Sequence, residues 1–480
     1  MHLNAWLIIG YVINFILIVA VVCFQRRDPV VSLAWVLGFT IFPIVGFLVF
    51  LVFGTGLKTH TKRKYHQKMD NNRALTKILR TQKKAIFGGL IDEVPFGGVA
   101  RYLLTVNDSP FVENNDVKIY TKAEEKYRDL IEDIKNAKES INMVYFIIHD
   151  DHIGNTIINL LTQKAHEGVQ VRFLYDDFGS LLTPHRMFKE LKKAGGKVVR
   201  FFPVKLSSYS KFNHRNHRKI TVIDGAIGYM GGMNIGDEYM SRGRRSKKIP
   251  NWRDTHMRIV GPAVCLLQKY FALDWEFSTD EKLSDQLERF FVIPQKPCGD
   301  IPMQIGASGP DSDREEIKCT MIKMLNDAKK YVYIQTPYFV PDAPFLNALT
   351  MAAQSGVDVR VMLPGVPDKK YVYYVTTSYI GALLNAGVRV YIYDGFLHSK
   401  TMAVDDAVCT IGTTNIDIRS FSLHFEINAF MYGRQITEEC REIFEDDIEK
   451  CVEMSEEKYS KRGIWQIMKE GFFRLFSPIM

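Results

Sequence analysis

Two short stretches of the chain carry the same five residue types at the same offsets. They are His217, Lys219, Asp224, Gly231 and Asn234 in the first, and His398, Lys400, Asp405, Gly412 and Asn415 in the second. At about one chance in twenty per position, such a recurrence would arise by accident in this chain only on the order of once in ten thousand. A single H-x-K carries no weight; the pair does. An imidazole can attack phosphorus, and an ammonium group can hold phosphoryl oxygens. A side-chain amide can donate to the same oxygens, while glycine lets the backbone come close. A transfer of this kind needs one neutral histidine to attack and one protonated histidine to deliver a proton to the leaving alkoxide. Two copies supply both.

These residues need elements to aim them. Lys219 to Ile223 and Lys400 to Val404 read as strands, on which residues i and i+2 share a face, so each His and Lys would point together into one cleft. The stretches before them also repeat. Ile141 to Ile148, Glu167 to Tyr175 and Ala194 to Phe201 find counterparts in Tyr331 to Phe339, Ser355 to Leu363 and Ala386 to Ile392. Short β-branched and aromatic runs read as strands, and amphipathic stretches such as Lys122 to Ala137 and Glu315 to Ala328 read as the helices between them. Alternating strands and helices imply an α/β sandwich in each half, over residues 111–295 and 296–455, with the duplicated pair packed face to face.

The composition of the 480 residues is 46% apolar, 24% charged and 12% aromatic. That excludes disordered, collagen-like and low-complexity architectures. A net charge of +8 and a pI near 8.9 favour an anionic large partner, either nucleic acid or an anionic membrane surface. The seven cysteines are scattered with no C-x-x-C pair, which argues against a disulfide scaffold and a structural zinc site.

Leu3 to Gln25 and Pro29 to Leu57 carry no charged residue, and each is long enough to cross about 30 Å of hydrocarbon as a helix. The first lacks a basic n-region and a cleavage site, so it does not read as a signal peptide. The short connection Arg26-Arg27-Asp28-Pro29 makes a hairpin of residues 1–57. Lys58, Lys62, Arg63, Lys64 and Lys68 outweigh Arg26 and Arg27, placing the C-terminal part on the cytoplasmic side of the cell membrane. Residues 58–110 carry no interpretable motif and read either as a juxtamembrane linker or as a regulatory region. The loop Arg242-Gly243-Arg244-Arg245-Ser246-Lys247-Lys248 is either a solvated loop or a phosphate contact. In residues 456–480, Ile464, Trp465, Ile467, Met468, Phe472, Phe473, Leu475, Phe476 and Ile479 alternate with Lys461, Arg462, Lys469 and Arg474. That pattern fits an interfacial amphipathic helix, with core packing as its alternative.

Two copies of H-x-K-x4-D followed by G-x-x-N resemble the phospholipase D superfamily. Within it, the hairpin with Arg26-Arg27-Asp28-Pro29, the segment Thr336-Pro-Tyr-Phe-Val-Pro-Asp342 and the hydrophobic C-terminus are similar to two-span bacterial cardiolipin synthases. The resemblance covers essentially the whole chain. It implies two tandem phospholipase D-like α/β sandwich domains in a pseudo-twofold pair, preceded by a transmembrane helical hairpin. It also implies His217 as nucleophile and His398 as general acid and later base, although each half carries the full set and the roles could be exchanged. Family members place a carboxylate on the far ring nitrogen of each His; Glu426 and Asp254 match those positions. Lys219, Lys400, Asn234 and Asn415 would hold the phosphoryl group, while Asp224 and Asp405 would support the site by hydrogen bonding. The family commonly has Ser or Thr after the motif glycine. Thr413 fits, but Gly232 does not, which puts one hydroxyl hydrogen bond in doubt.

The activity implied is transfer of a phosphatidyl group between two phosphatidylglycerol molecules through a phosphatidyl-histidine, giving cardiolipin and glycerol. Hydrolysis, transfer to another alcohol, a membrane-tethered nucleic-acid phosphodiesterase and a non-enzymatic scaffold are the alternatives. The expected partners are phosphatidylglycerol and anionic membrane lipid at the bacterial cell membrane, with no nucleic acid. No metal or other cofactor is expected, since imidazole and ammonium groups replace a Lewis acid.

Overall fold

The computed structural model describes residues 2–24, 29–50, 96–204, 213–243, 249–283, 296–312 and 314–477, together with 54, 61–62, 65 and 79–83. The first half contributes β1 (Val112–Tyr120), β2 (Ser140–Tyr145), β3 (Gln170–Asp176), β4 (Lys197–Phe201), β5 (Arg215–Asn216), β6 (Ile220–Ile223), β7 (Ile227–Gly231) and β8 (His256–Val260). The second contributes β9 (Ile301–Ser308), β10 (Tyr331–Gln335), β11 (Phe339–Val340), β12 (Asp358–Pro364), β13 (Arg389–Tyr393), β14 (Thr401–Val404), β15 (Val408–Gly412), β16 (Ile416–Asp417), β17 (His424–Tyr432) and β18 (Cys451–Met454).

One mixed sheet runs through both halves, in the order β18-β13-β12-β10-β14-β15-β17-β9-β1-β8-β7-β6-β2-β3-β4. Read outward from the antiparallel β1–β9 pair, the two sides carry equivalent strands in the same succession, and β18 extends one edge. The face-to-face packing expected from the repeat is therefore corrected. The halves join edge to edge, because β1 and β9 each leave a row of backbone donors and acceptors that the other satisfies.

Local sequence explains the layers. All residues of β2 and β10 are buried, as suits strands covered on both faces. The helix Ala123–Asn136 buries Tyr127, Leu130 and Ile134, spaced at three and four, against the sheet. Asp151 and Asp342 occupy matching places and cap the helices His152–His166 and Ala343–Gln354 by accepting from Gly154 N and Phe345 N. The motif strands begin one residue later than expected, at Ile220 and Thr401.

At the N-terminus a helix spans His2–Phe24, and the second apolar run forms two helices, Pro29–Ile41 and Pro43–Val49. The single span expected over Pro29 to Leu57 is thus broken at Phe42, where Pro43 disfavours a helical conformation in the residue before it. Asn14 Nδ2 donates to Phe39 O at 3.1 Å, and Trp35, Phe39 and Phe50 pack together. Among the described residues no helix is long and apolar enough to cross a membrane. Arg26, Arg27, Asp28, Lys58, Arg63, Lys64, Lys68 and Arg244 to Lys248 lie outside the described residues.

The C-terminal helix Ile464–Arg474 rests Phe473 on Tyr374, with ring centroids 5.7 Å apart, and leaves Ile464, Trp465, Met468, Phe472 and Leu475 exposed.

Candidate active site

The backbone of each half holds the histidine of the other. Strand β5 pairs in parallel with β17, and His217 N donates to Phe425 O at 2.9 Å. In the mirror position His398 N donates to Arg253 O at 2.6 Å, and Arg253 N donates to Phe396 O at 3.0 Å. Both histidines, with Asn234 and Asn415, line a single cleft between the halves.

The carboxylates cross over as well. His217 Nδ1 is 3.0 Å from both carboxylate oxygens of Glu426, and His398 Nδ1 is 2.6 Å from Asp254 Oδ2. Glu426 and Asp254 are buried. A carboxylate on Nδ1 fixes the tautomer that leaves Nε2 as the reactive nitrogen. Thr413 Oγ1 donates to Glu426 Oε2. Asp254 Oδ1 instead accepts from Thr255 N at 2.7 Å, and Gly232 makes room for it, since a Cβ there would lie 2.0 Å from Asp254 Oδ1.

Burial, followed by Lys219 and Lys400, holds His217 well below the usual imidazole range. Burial and Lys400 also lower His398, but Asp254 opposes them. The carboxyl of Asp254 stays below its ordinary value although burial works against it, because His398 and Lys400 face it. Burial brings Lys219 down to about 7 and Lys400 to about 8. Each lysine turns back on its own motif: Lys219 Nζ donates to His217 O at 2.6 Å, and Lys400 Nζ donates to His398 O. Asn234 Oδ1 accepts from Ile147 N and its Nδ2 donates to the Tyr239 hydroxyl, so this amide is tied into the wall. Asn415 Oδ1 is buried with no hydrogen-bond partner among the described residues.

Asp224 and Asp405 lie elsewhere, which corrects their expected place in the site. Each sits in the turn at the far end of its motif strand, in the left-handed region at φ 52° and 56°. Asp224 accepts from the backbone N–H groups of Lys138, Glu139 and Ser140, and Asp405 from those of Lys329, Lys330 and Tyr331. They therefore lock the entry to β2 and β10, and act on the histidines only through the strands.

Sequence reading missed two buried ion pairs behind the cleft. Arg218, inside the first motif, pairs with Asp274 at 2.8 Å and donates to Glu426 O at 3.2 Å. Arg253, next to Asp254, pairs with Asp447 at 2.8 Å and donates to Ser399 Oγ at 3.1 Å. Tyr65, from the segment without a motif, is buried beside the first pair: it accepts from Arg218 Nη1 at 2.9 Å and donates to Asp274 Oδ1 at 3.0 Å. The letters were visible, but only the fold brings them together.

Comparison with known proteins agrees with this arrangement. Residues 130–245 and 321–448 match the family described as "Cardiolipin synthase, PLD-like domain", and residues 12–54 match "Phospholipase_D-nuclease N-terminal". The chain is 42% identical over its whole length to all of a cardiolipin synthase of Listeria monocytogenes serotype 4a. It is 40% identical, again over its whole length, to 97% of a cardiolipin synthase of Staphylococcus aureus strain Mu50. Its fold resembles the crystal structure of phosphatidylserine synthase from Haemophilus influenzae Rd KW20. The TM-score is 0.59 and the identity 16%, over 79% of this chain and 97% of that one.

Proposed function

For a chain that belongs to the cardiolipin synthase family with phospholipase D-like domains, and is thus a phosphatidyltransferase of the phospholipase D type, we propose the following reaction. A phosphatidyl group passes from one phosphatidylglycerol to another, with His217 as nucleophile and His398 as acid and base. The carrying observation is a pair of imidazoles facing one cleft, each oriented from behind by a buried carboxylate of the other half. Nε2 of neutral His217 attacks phosphorus and the bond to the headgroup oxygen breaks. Glycerol leaves with the proton of His398, and a phosphatidyl-histidine remains. His398, now neutral, takes the proton of the second lipid's headgroup hydroxyl, whose oxygen displaces His217 from phosphorus. Lys219, Lys400 and Asn415 offset the negative charge that gathers on the phosphoryl oxygens.

His217 suits the nucleophile because burial, with Lys219 and Lys400, keeps it neutral, whereas at His398 burial and Lys400 are opposed by Asp254, which helps it keep a proton. A lipid substrate is supported by Phe178 and Tyr371, which are exposed at the cleft, and by Leu181 and Leu182 on the same loop as Phe178. The N-terminal apolar segments and the exposed apolar face of the helix Ile464–Arg474 would hold the cleft at the bacterial cell membrane, with the catalytic halves on the cytoplasmic side. Protease accessibility of those halves in sealed cells tests this topology; digestion from outside would contradict it.

Thin-layer chromatography after incubating the detergent-solubilised full chain with labelled phosphatidylglycerol alone tests the reaction. Cardiolipin with released glycerol is the expected result, and phosphatidic acid alone would mean that water resolves the intermediate.

A further inference from the structure

The pseudo-twofold relation makes the cleft symmetric in backbone but not in charge. Two residues before each motif histidine stand Arg215 and Phe396. Four residues after each motif asparagine stand Arg419 and Glu238. Two residues before each orienting carboxylate stand His424 and Trp252. All six line the cleft. Around His217 the three equivalent positions hold two guanidinium groups and His424, which burial pushes down to about 3 and so keeps neutral; around His398 they hold two aromatic rings and an acid.

The two arginines and His424 form one wall. Arg215 faces His424 across the β5–β17 pair, and the His424 ring lies 5.8 Å from that of His217. Arg419 Nη2 donates to Asn213 O at 3.4 Å, two residues ahead of Arg215. Among the described residues Arg419 makes no ion pair within 4 Å and no other hydrogen bond, while Asp417 is occupied in accepting from Ser420 N. Arg215 is buried, lies 3.7 Å from Asp176 and stacks on Phe178. Arg215 Nη1 also donates to Phe202 O at 3.3 Å, so the cleft is lined by one anchored guanidinium from one half and the Arg419 guanidinium from the other, a pair suited to a phosphodiester anion.

In the reaction proposed above Lys219 and Lys400 serve the reacting phosphate, which leaves Arg215 and Arg419 for another anion. Resting on the reading proposed above, the acceptor lipid brings a second phosphodiester, joined to the attacking hydroxyl through three carbons and therefore confined to the same cleft. We propose that Arg215 and Arg419 form a second phosphate subsite that holds the phosphodiester of the acceptor lipid and so selects a phospholipid over water or a simple alcohol. The donor lipid, which has a single phosphate, leaves the subsite vacant for it.

The test offers the full-length protein phosphatidylglycerol in mixed micelles with ethanol, so that cardiolipin and phosphatidylethanol form from one intermediate. In Arg419→Gln the ratio of cardiolipin to phosphatidylethanol falls about ten-fold or more, the size expected for a lost charge-assisted hydrogen bond. Arg419→Lys keeps the charge and recovers part of that ratio, and Arg215→Gln repeats the fall. An unchanged ratio in Arg419→Gln, with both products falling in parallel or neither falling, overturns the subsite. Because the readout is a ratio within one sample, partial loss of folded protein does not mimic it. Wild-type protein that makes phosphatidylethanol but no cardiolipin refutes the synthase reading itself, and the subsite with it.

Discussion

Around His217 the orienting carboxylate is the long one, Glu426, and a threonine hydroxyl donates to it; around His398 it is the short one, Asp254, and the threonine's place is taken by Gly232. The ion pairs behind the cleft differ in the same manner. The arginine comes from inside the motif in one half-site and from beside the carboxylate in the other, yet each ends on an aspartate of an equivalent helix, Asp274 or Asp447. The repeat thus preserves interactions and not residues. A carboxylate that sits closer needs a glycine, and one that reaches further gains a hydroxyl. Each half-site is incomplete alone, since its histidine is held and oriented from across the interface.

Removing either histidine breaks both half-sites at once. His217→Ala and His398→Ala should each lower turnover by about 10⁴-fold or more, the loss expected when a nucleophile or its acid is deleted. Substantial cardiolipin synthesis by either variant would contradict the mechanism.

The buried arginines come next. Arg218→Ala takes from Asp274 its arginine partner, whereas after Arg253→Ala Asp447 keeps Lys450 Nζ at 3.7 Å; taking one partner from a buried pair costs about 3–5 kcal/mol. Both should lower the thermal unfolding temperature, Arg218→Ala by more, and a larger drop in Arg253→Ala would contradict this account of the two pairs.

The glycine and the hydroxyl separate the two solutions. Gly232→Ala would push Asp254 off His398, and an overpacking cost of about 1–3 kcal/mol predicts a kcat lower by roughly ten- to a hundred-fold. Thr413→Val removes one hydrogen bond to Glu426, worth about 1 kcal/mol, so kcat should fall only several-fold. The reverse order would mean that the hydroxyl half is the more sensitive.

The smallest effect is a pH shift. His398 must begin protonated, so kcat/KM falls as pH rises through its pKa, and Asp254 is what raises that pKa against burial. Asp254→Asn removes the support and should move the alkaline limb to lower pH. A limb that stays in place would detach Asp254 from the acid.

Much of the site could be read from spacing, because histidines, lysines and asparagines at equal offsets have few other reasons to recur. Glu426 and Asp254 could be placed by resemblance, but their crossing could not, since it depends on β5 pairing with β17 and on the contact of Arg253 with Phe396 and Leu397. Asp224 and Asp405 were expected to support the site by hydrogen bonding; their hydrogen bonds go instead to the backbone N–H groups that enter β2 and β10, which a short carboxylate in a left-handed turn serves readily. The edge-to-edge sheet was hidden for a related reason: β1 carries four consecutive polar residues, Glu113 to Asp116, as an exposed edge would, yet its partner β9 lies nearly two hundred residues further on. Pro43, by contrast, was a legible break that the length of the apolar run obscured.

The most direct measurement is to denature the full chain during turnover of labelled phosphatidylglycerol and map the covalently bound label to a peptide. Label on the peptide containing His217, absent in His217→Ala, is the result predicted. Label on the peptide containing His398 would exchange the two roles, and no covalent label under conditions of rapid turnover would contradict the phosphatidyl-histidine altogether.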